Sequence, residues 1–138
     1  MIMKKLLLII VFLMSGICSQ AQLLKQKEVY YEALFAKEIG GKTEIVLPDL
    51  ARVDIVTDTF AIEIDFADKW AESIGQSLYY AEELNKKPGV LLLINGTAED
   101  RYVKRLLKVA GEQNITVWLL NYNNNQWKKV KINHIYIY

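Results

Sequence analysis

The chain has 138 residues, with 17 Lys and Arg against 16 Asp and Glu, one histidine and one cysteine. That length suits a single hydrophobic core. The near-neutral balance excludes nucleic-acid binding by bulk charge, so any such binding has to use local patches. The lone Cys18 excludes an internal disulfide, and the lone His134 excludes a histidine-based metal site or catalytic triad.

The first element is MIMKKLLLIIVFLMSGICSQAQ, in which Lys4 and Lys5 precede an apolar run from Leu6 to Met14. Ser19 and Ala21 supply the small residues of an A-x-A cleavage site. The pattern predicts a signal peptide over 1–21, cut after Ala21, and a mature domain in the periplasm or outside the cell. The apolar run is too short to span a bilayer as a helix, so no stable membrane insertion is expected once it is removed. An uncleaved anchor is the alternative. Ile17, which is not small, stands before Cys18 and argues against lipoprotein processing there. The cut removes Cys18, Lys4 and Lys5, leaving 15 basic residues against 16 acidic ones and a net charge of −1 over 22–138.

The remainder, 22–138, reads as one domain without repeats or linkers. Apolar residues at helical spacing (Leu24, Tyr31, Leu34, Phe35, Ile39) predict a first helix over 24–39, stopped by Gly40-Gly41. TEIVLP (43–48) alternates as a strand, and ARVDIVTD and TFAIEIDF follow as a second and third, joined by a tight turn near Thr57-Asp58. Asp65 or Asp68 is expected to cap a second helix running from about Asp68 to Asn85. GVLLLI (89–94) and ITVWLL (115–120) read as strands buried on both faces, separated by a third helix over about 99–112 with Tyr102, Val103, Leu106, Leu107 and Ala110 facing inward. Asn95-Gly96-Thr97 fits a glycosylation sequon but is read as a strand-to-helix turn. KKVKINHIYIY is expected to be either a last edge strand, whose lysines discourage aggregation, or a loose tail. Trp70, Trp118 and Trp127 are expected to pack, although Trp127 beside Lys128 and Lys129 could meet nucleic acid or a membrane. Three successive strands followed by strand-helix-strand units imply an α/β sandwich with a mixed sheet.

Carboxylates inside strands are costly unless they meet water, a partner or a metal. Strand alternation puts Arg52, Asp54 and Val56 on one face of the second strand, and Ala61, Glu63 and Asp65 on one face of the third. Side-by-side pairing would let Asp54 and Glu63 project together. In the second helix, Trp70, Ile74, Leu78 and Ala81 form the core stripe, while Lys69, Ser73, Gln76 and Tyr80 form another beside the acids. Two carboxylates can hold Mg²⁺ or Mn²⁺ in an oxygen shell that leaves positions for water and a phosphate oxygen. A nearby lysine suits charge developing on a phosphoryl group, and Gln76 and Tyr80 could bond the substrate.

TEIVLPDLARVDIVTDTFAIEIDFADKWAESIGQSLYYA (43–81), with Asp54, Glu63 and Gln76-x-x-x-Tyr80, resembles the PD-(D/E)xK nuclease-like superfamily. The helix motif looks like that of its RecB-type branch, and the longer segment is similar to small uncharacterised bacterial domains of the superfamily. The resemblance spans about 28–120 and implies a restriction-endonuclease-like three-layer sandwich with an α-βββ-α-β core. It also implies a metal-dependent nuclease, with Asp54 as metal-binding acid and Glu63 as the motif acid. A further acid from the first helix is implied, for which Glu38 and Glu32 are candidates, with Glu44 a third. Asp65 stands where the motif lysine is expected, and Lys69 would be a lysine relocated to the following helix. Two functions are therefore expected: an exported phosphodiesterase using Mg or Mn on nucleic acid, or an inactive nuclease-fold module that binds or scaffolds. A cytoplasmic nuclease, with 1–21 misread, is a third.

Overall fold

A computed structural model describes residues 22–24, 26–124 and 126–130, the last five without their side chains. The expected signal segment, Cys18 and His134 lie outside the described residues. The chain divides into two units, 1–31 and 32–138. In the first, residues 22–24 and 26–31 are helical. All that follows concerns the second.

The second unit opens with helical residues 32–39, called α1. Gly40 ends the helix at φ +69, and the Gly41 N–H closes onto the Ala36 carbonyl at 2.8 Å. A glycine tolerates this left-handed conformation without steric cost, so the sequence stops the helix where Gly40-Gly41 predicts. Three antiparallel strands follow: β1 (Lys42–Val46), β2 (Arg52–Val56) and β3 (Phe60–Phe66). The second strand is shorter than expected. It ends at Val56, because Thr57 Oγ1 accepts the Phe60 N–H at 2.8 Å and the Thr59 N–H at 3.2 Å and turns the chain.

A 3-10 turn, Ala67–Lys69, leads into helix α2 (Trp70–Leu84), which ends at Asn85 in a left-handed conformation. Strand β4 (Lys87–Ile94), a 3-10 turn (Gly96–Glu99), helix α3 (Asp100–Glu112) and strand β5 (Thr116–Asn121) come next. Asn95-Gly96-Thr97 is the strand-to-helix turn that was expected, with Gly96 at φ +61. Strand β6 (Gln126–Val130) pairs antiparallel with β5, so the tail supplies an edge strand that begins before the expected lysine run. The reading of the Trp127, Lys128 and Lys129 side chains lies outside what is described.

The six strands lie in sequence order, β1-β2-β3-β4-β5-β6. The β3–β4 and β4–β5 pairs are parallel and the others antiparallel, which makes the sheet mixed. Parallel neighbours need crossovers, and α2 and α3 supply them. Both helices cover one face, where Val90, Leu92, Val117 and Leu119 meet Leu106, Leu107 and Ala110, with Trp70, Ile74 and Leu78 packed against them. Each fully buried Leu or Val there contributes about 1.5–3 kcal/mol by leaving water. On the other face Phe35 of α1 meets the Trp118 ring edge-on at 5.7 Å, and Trp118 meets Phe60 at 5.2 Å. Helices on both faces of a mixed sheet make this an α/β sandwich. No helix among the described residues is long and apolar enough to cross a membrane.

Candidate metal and phosphodiester site

The site grows from a break in strand alternation. The β1–β2 register pairs Thr43 with Ile55 and Ile45 with Val53, which puts Glu44 across from Asp54. Glu44 has φ +57, rare for a residue with a Cβ. Val53 and Val56 both pack into the cluster around Ala61 and Tyr80, although residues three apart in a regular strand face opposite ways. Strand β2 is therefore irregular between Val53 and Val56, while Arg52, Asp54 and Val56 all keep to the Tyr80 side, the two charged residues acting on the Tyr80 phenol and Val56 packing on its cluster.

The same irregularity ends the pairing of β2 with β3, which holds at Ile55–Ile62 and Val56–Ala61 and goes no further. Past it, Asp54 Oδ2 accepts the Ile64 N–H at 2.9 Å. A side-chain oxygen has taken the place of a strand-to-strand acceptor. Asp54 thus lies against the peptide that follows Glu63. Both acids are buried, at 8% and 6% exposure.

Tyr80 of α2 sits over this pair. Burial and the Glu63 carboxylate push its phenol up, and Asp54 adds to that. The hydrogen bond from Gln76 Nε2, at 3.5 Å, and the Arg52 charge act the other way. The expected stripe on α2 therefore splits. Tyr80 and Ser73 are buried, Lys69 and Gln76 are exposed, and Ser73 Oγ donates back to the Trp70 carbonyl at 2.9 Å.

Asp65 does not cap a helix. It is a buried residue of β3, and neither the 3-10 turn nor α2 has a side-chain cap, which also removes Asp68 from that role. Alternation along β3 puts Asp65 on the Glu63 side. Lys69 Nζ lies 3.5 Å from Asp65 Oδ1, joining the turn beyond the strand to the acids within it.

No family model, curated protein or solved structure matches the chain. The site has to be read from its own chemistry.

The three candidates for a further acid fare differently. Glu32 of α1 is buried at 3% exposure, Glu38 is exposed, and Glu44 is half-exposed and bonded to Arg52 Nε at 2.5 Å. Among the described residues no group of three or more Asp, Glu, His or Cys is placed to hold a metal ion. What the geometry brings together is narrower: Asp54 and Glu63, with Tyr80 above, Gln76 behind the phenol, and Asp65 with Lys69 at the end of β3. A cavity of about 300 Å³ lies elsewhere, between Phe60, Trp118 and the Thr57–Thr59 turn, and none of these acids lines it. Sequence periodicity missed the irregularity of β2, and the one hint of it is Glu44, an ordinary strand residue that the fold puts at positive φ.

Proposed function

We propose that the protein is an exported, divalent-metal-dependent phosphodiesterase acting on nucleic acid, built on a restriction-endonuclease-like form of the α/β sandwich. One observation carries the reading: Asp54 and Glu63 are buried together where β2 parts from β3, beneath Tyr80. The order α1, three-stranded meander, α2, β4 is the order the PD-(D/E)xK resemblance implies, and it supports the finer fold. The signal-like segment 1–21 supports export to the periplasm or beyond.

Two carboxylates offer oxygen donors only, which fits Mg²⁺ or Mn²⁺, ions that keep places for water and phosphate oxygens. Asp54 and Glu63 would hold the ion, which when bound supplies a polarised phosphoryl oxygen and an acidified water. The chain does the rest. Lys69 brings positive charge to the carboxyl end of β3, where it stabilises charge developing on the phosphoryl group. Tyr80 keeps its proton, because burial and Glu63 disfavour the phenolate, and so donates a hydrogen bond to substrate. Gln76 orients that phenol from the exposed side of α2.

A second reading, an inactive nuclease-fold module, is favoured by Asp65. An acid stands at the position of the motif lysine and draws Lys69 toward itself.

Calorimetric titration with Mn²⁺ or Mg²⁺, beside Asp54→Ala/Glu63→Ala, separates the two. Saturable binding lost in the variant, together with metal-dependent cleavage of a labelled oligonucleotide, supports the enzyme. Absence of binding at millimolar metal leaves the module.

A further inference from the structure

Helix α3 commits its apolar stripe to the core: Leu106 and Ala110 are fully buried, Leu107 is buried, and Val103 packs on the same cluster. At about 100° per residue, Arg101, Lys104, Arg105 and Lys108 fall on the opposite side of the helix. All four are exposed. Among the described residues no carboxylate lies within ion-pair distance of any of them. Arg101 is held in place by its neighbour, with the guanidinium carbon 4.6 Å from the Tyr102 ring centre and Nη2 donating to the Tyr102 hydroxyl at 2.7 Å. The helix packs against the Ala67–Lys69 turn through its buried side, which leaves the row of cations facing away from it.

Residues 22–138 carry a net charge of −1, so four cations with one acid, Glu112, on one helix face are a local concentration of positive charge. An anionic membrane is a poor fit, because a helix lying in a membrane interface needs a free apolar face, and the core has taken this one. A phosphate backbone fits. It asks for charge alone, and guanidinium forks match phosphate geometry. From Arg101 to Lys108 the helix rises roughly 10 Å, room for about three phosphates of one strand.

We propose that the outer face of α3, through Arg101, Lys104, Arg105 and Lys108, docks the phosphate backbone of a nucleic acid. The proposal rests on the nuclease reading for its partner, but the docking itself needs neither Asp54 nor Glu63.

The test is fluorescence anisotropy of a short labelled DNA duplex in EDTA, over a salt series. It compares the wild-type protein, Arg101→Gln/Lys104→Gln/Arg105→Gln/Lys108→Gln, and a control with Lys37, Lys42, Lys86 and Lys87 each changed to Gln. Circular dichroism verifies that every variant is folded. The expected result is a loss of about tenfold or more at low salt in the α3 variant alone, with a log–log salt slope shallower by about 2–3. The proposal is overturned if the wild type does not bind the duplex, if the control loses as much as the α3 variant, or if the α3 variant binds unchanged. Binding to phosphatidylglycerol vesicles but not to DNA also overturns it. Failure of the nuclease reading looks different: no metal binding and no cleavage, with duplex binding still lost only in the α3 variant.

Discussion

Asp54 reaches across a gap in the sheet and takes the Ile64 N–H at 2.9 Å, so the carboxylate proposed to hold a metal also closes the backbone of β3. The two roles separate by substitution. Asp54→Ala deprives a buried N–H of its acceptor, which costs about 1–3 kcal/mol, whereas Asp54→Asn keeps an acceptor oxygen and loses about 1 kcal/mol or less. If Asp54 holds the proposed metal, both variants also lose metal affinity, because the charge is gone. Urea unfolding read beside calorimetry checks this. Equal stability of the two variants would mean that the bond to Ile64 does not hold the strand.

Lys69 and Asp65 give a second separation. Their 3.5 Å contact has a half-exposed lysine at one end, so its contribution to stability is at most about 1 kcal/mol. If Lys69 stabilises phosphoryl charge, Lys69→Met lowers the cleavage rate by about 10²–10³-fold while the unfolding midpoint hardly moves. Lys69→Arg, which keeps the charge, recovers part of the rate. Steady-state cleavage of a labelled oligonucleotide under saturating Mn²⁺ measures both. A full-rate Lys69→Met would remove this residue from the chemistry.

Gly89 tests the fold independently of the site. A Cβ at this position would lie 2.9 Å from both Ile62 Cγ1 and the Trp118 ring, on the face that α1 covers. Neither neighbour has room, because Ile62 is fully buried and Trp118 is wedged between Phe35 and Phe60. Gly89→Ala is expected to destabilise by about 1–3 kcal/mol through overpacking. Gly75→Ala, whose Cβ meets nothing within 4 Å and which sits in α2, should instead gain up to about 1 kcal/mol from helix propensity. Thermal denaturation of the two variants shows the opposite signs.

The strands and helices were legible because their signals are local. GVLLLI announces a two-faced strand, Gly40-Gly41 a helix end and Thr57-Asp58 a tight turn, and β4, α1 and the β2–β3 hairpin fall where those signals place them. Asp54 and Glu63 were legible as a pair because acids at nearby positions of successive strands can meet across a hairpin. The irregularity of β2 was not legible. It accompanies Glu44 at positive φ opposite Asp54, a tertiary arrangement that no residue type announces. Asp65 was misread as a cap for a related reason: an acid just before a helix looks the same in sequence whether it turns to the helix or into the sheet. Helical spacing alone turns Leu106, Leu107 and Ala110 of α3 inward, and they are buried.

The turn between β1 and β2 is tied to α2 by a bond whose pH response can be worked out. Tyr79 donates its hydroxyl proton to Asp49 Oδ2, while Asp49 Oδ1 accepts the Ala51 N–H at 3.0 Å. The Tyr79 hydroxyl, and after it the Ala51 N–H, hold the Asp49 carboxyl below its usual range, and the same bond raises the Tyr79 phenol to about 12. Both signs point to one window. The carboxylate's contribution is present above its unfolded value and is lost as pH falls through the depressed folded value. The phenol's contribution is present below its ordinary 10.0 and is lost as pH rises towards about 12. Tyr79→Phe should therefore cost stability by a constant amount from neutral pH to the onset of tyrosine ionisation, and the difference from wild type should close above it. Ultraviolet titration adds a second reading, since the variant loses one phenol from the high-pH end of the curve and none from the main step. A loss from the main step would show that Tyr79 is free in solution and that the β1–β2 turn is not anchored to α2 by this bond.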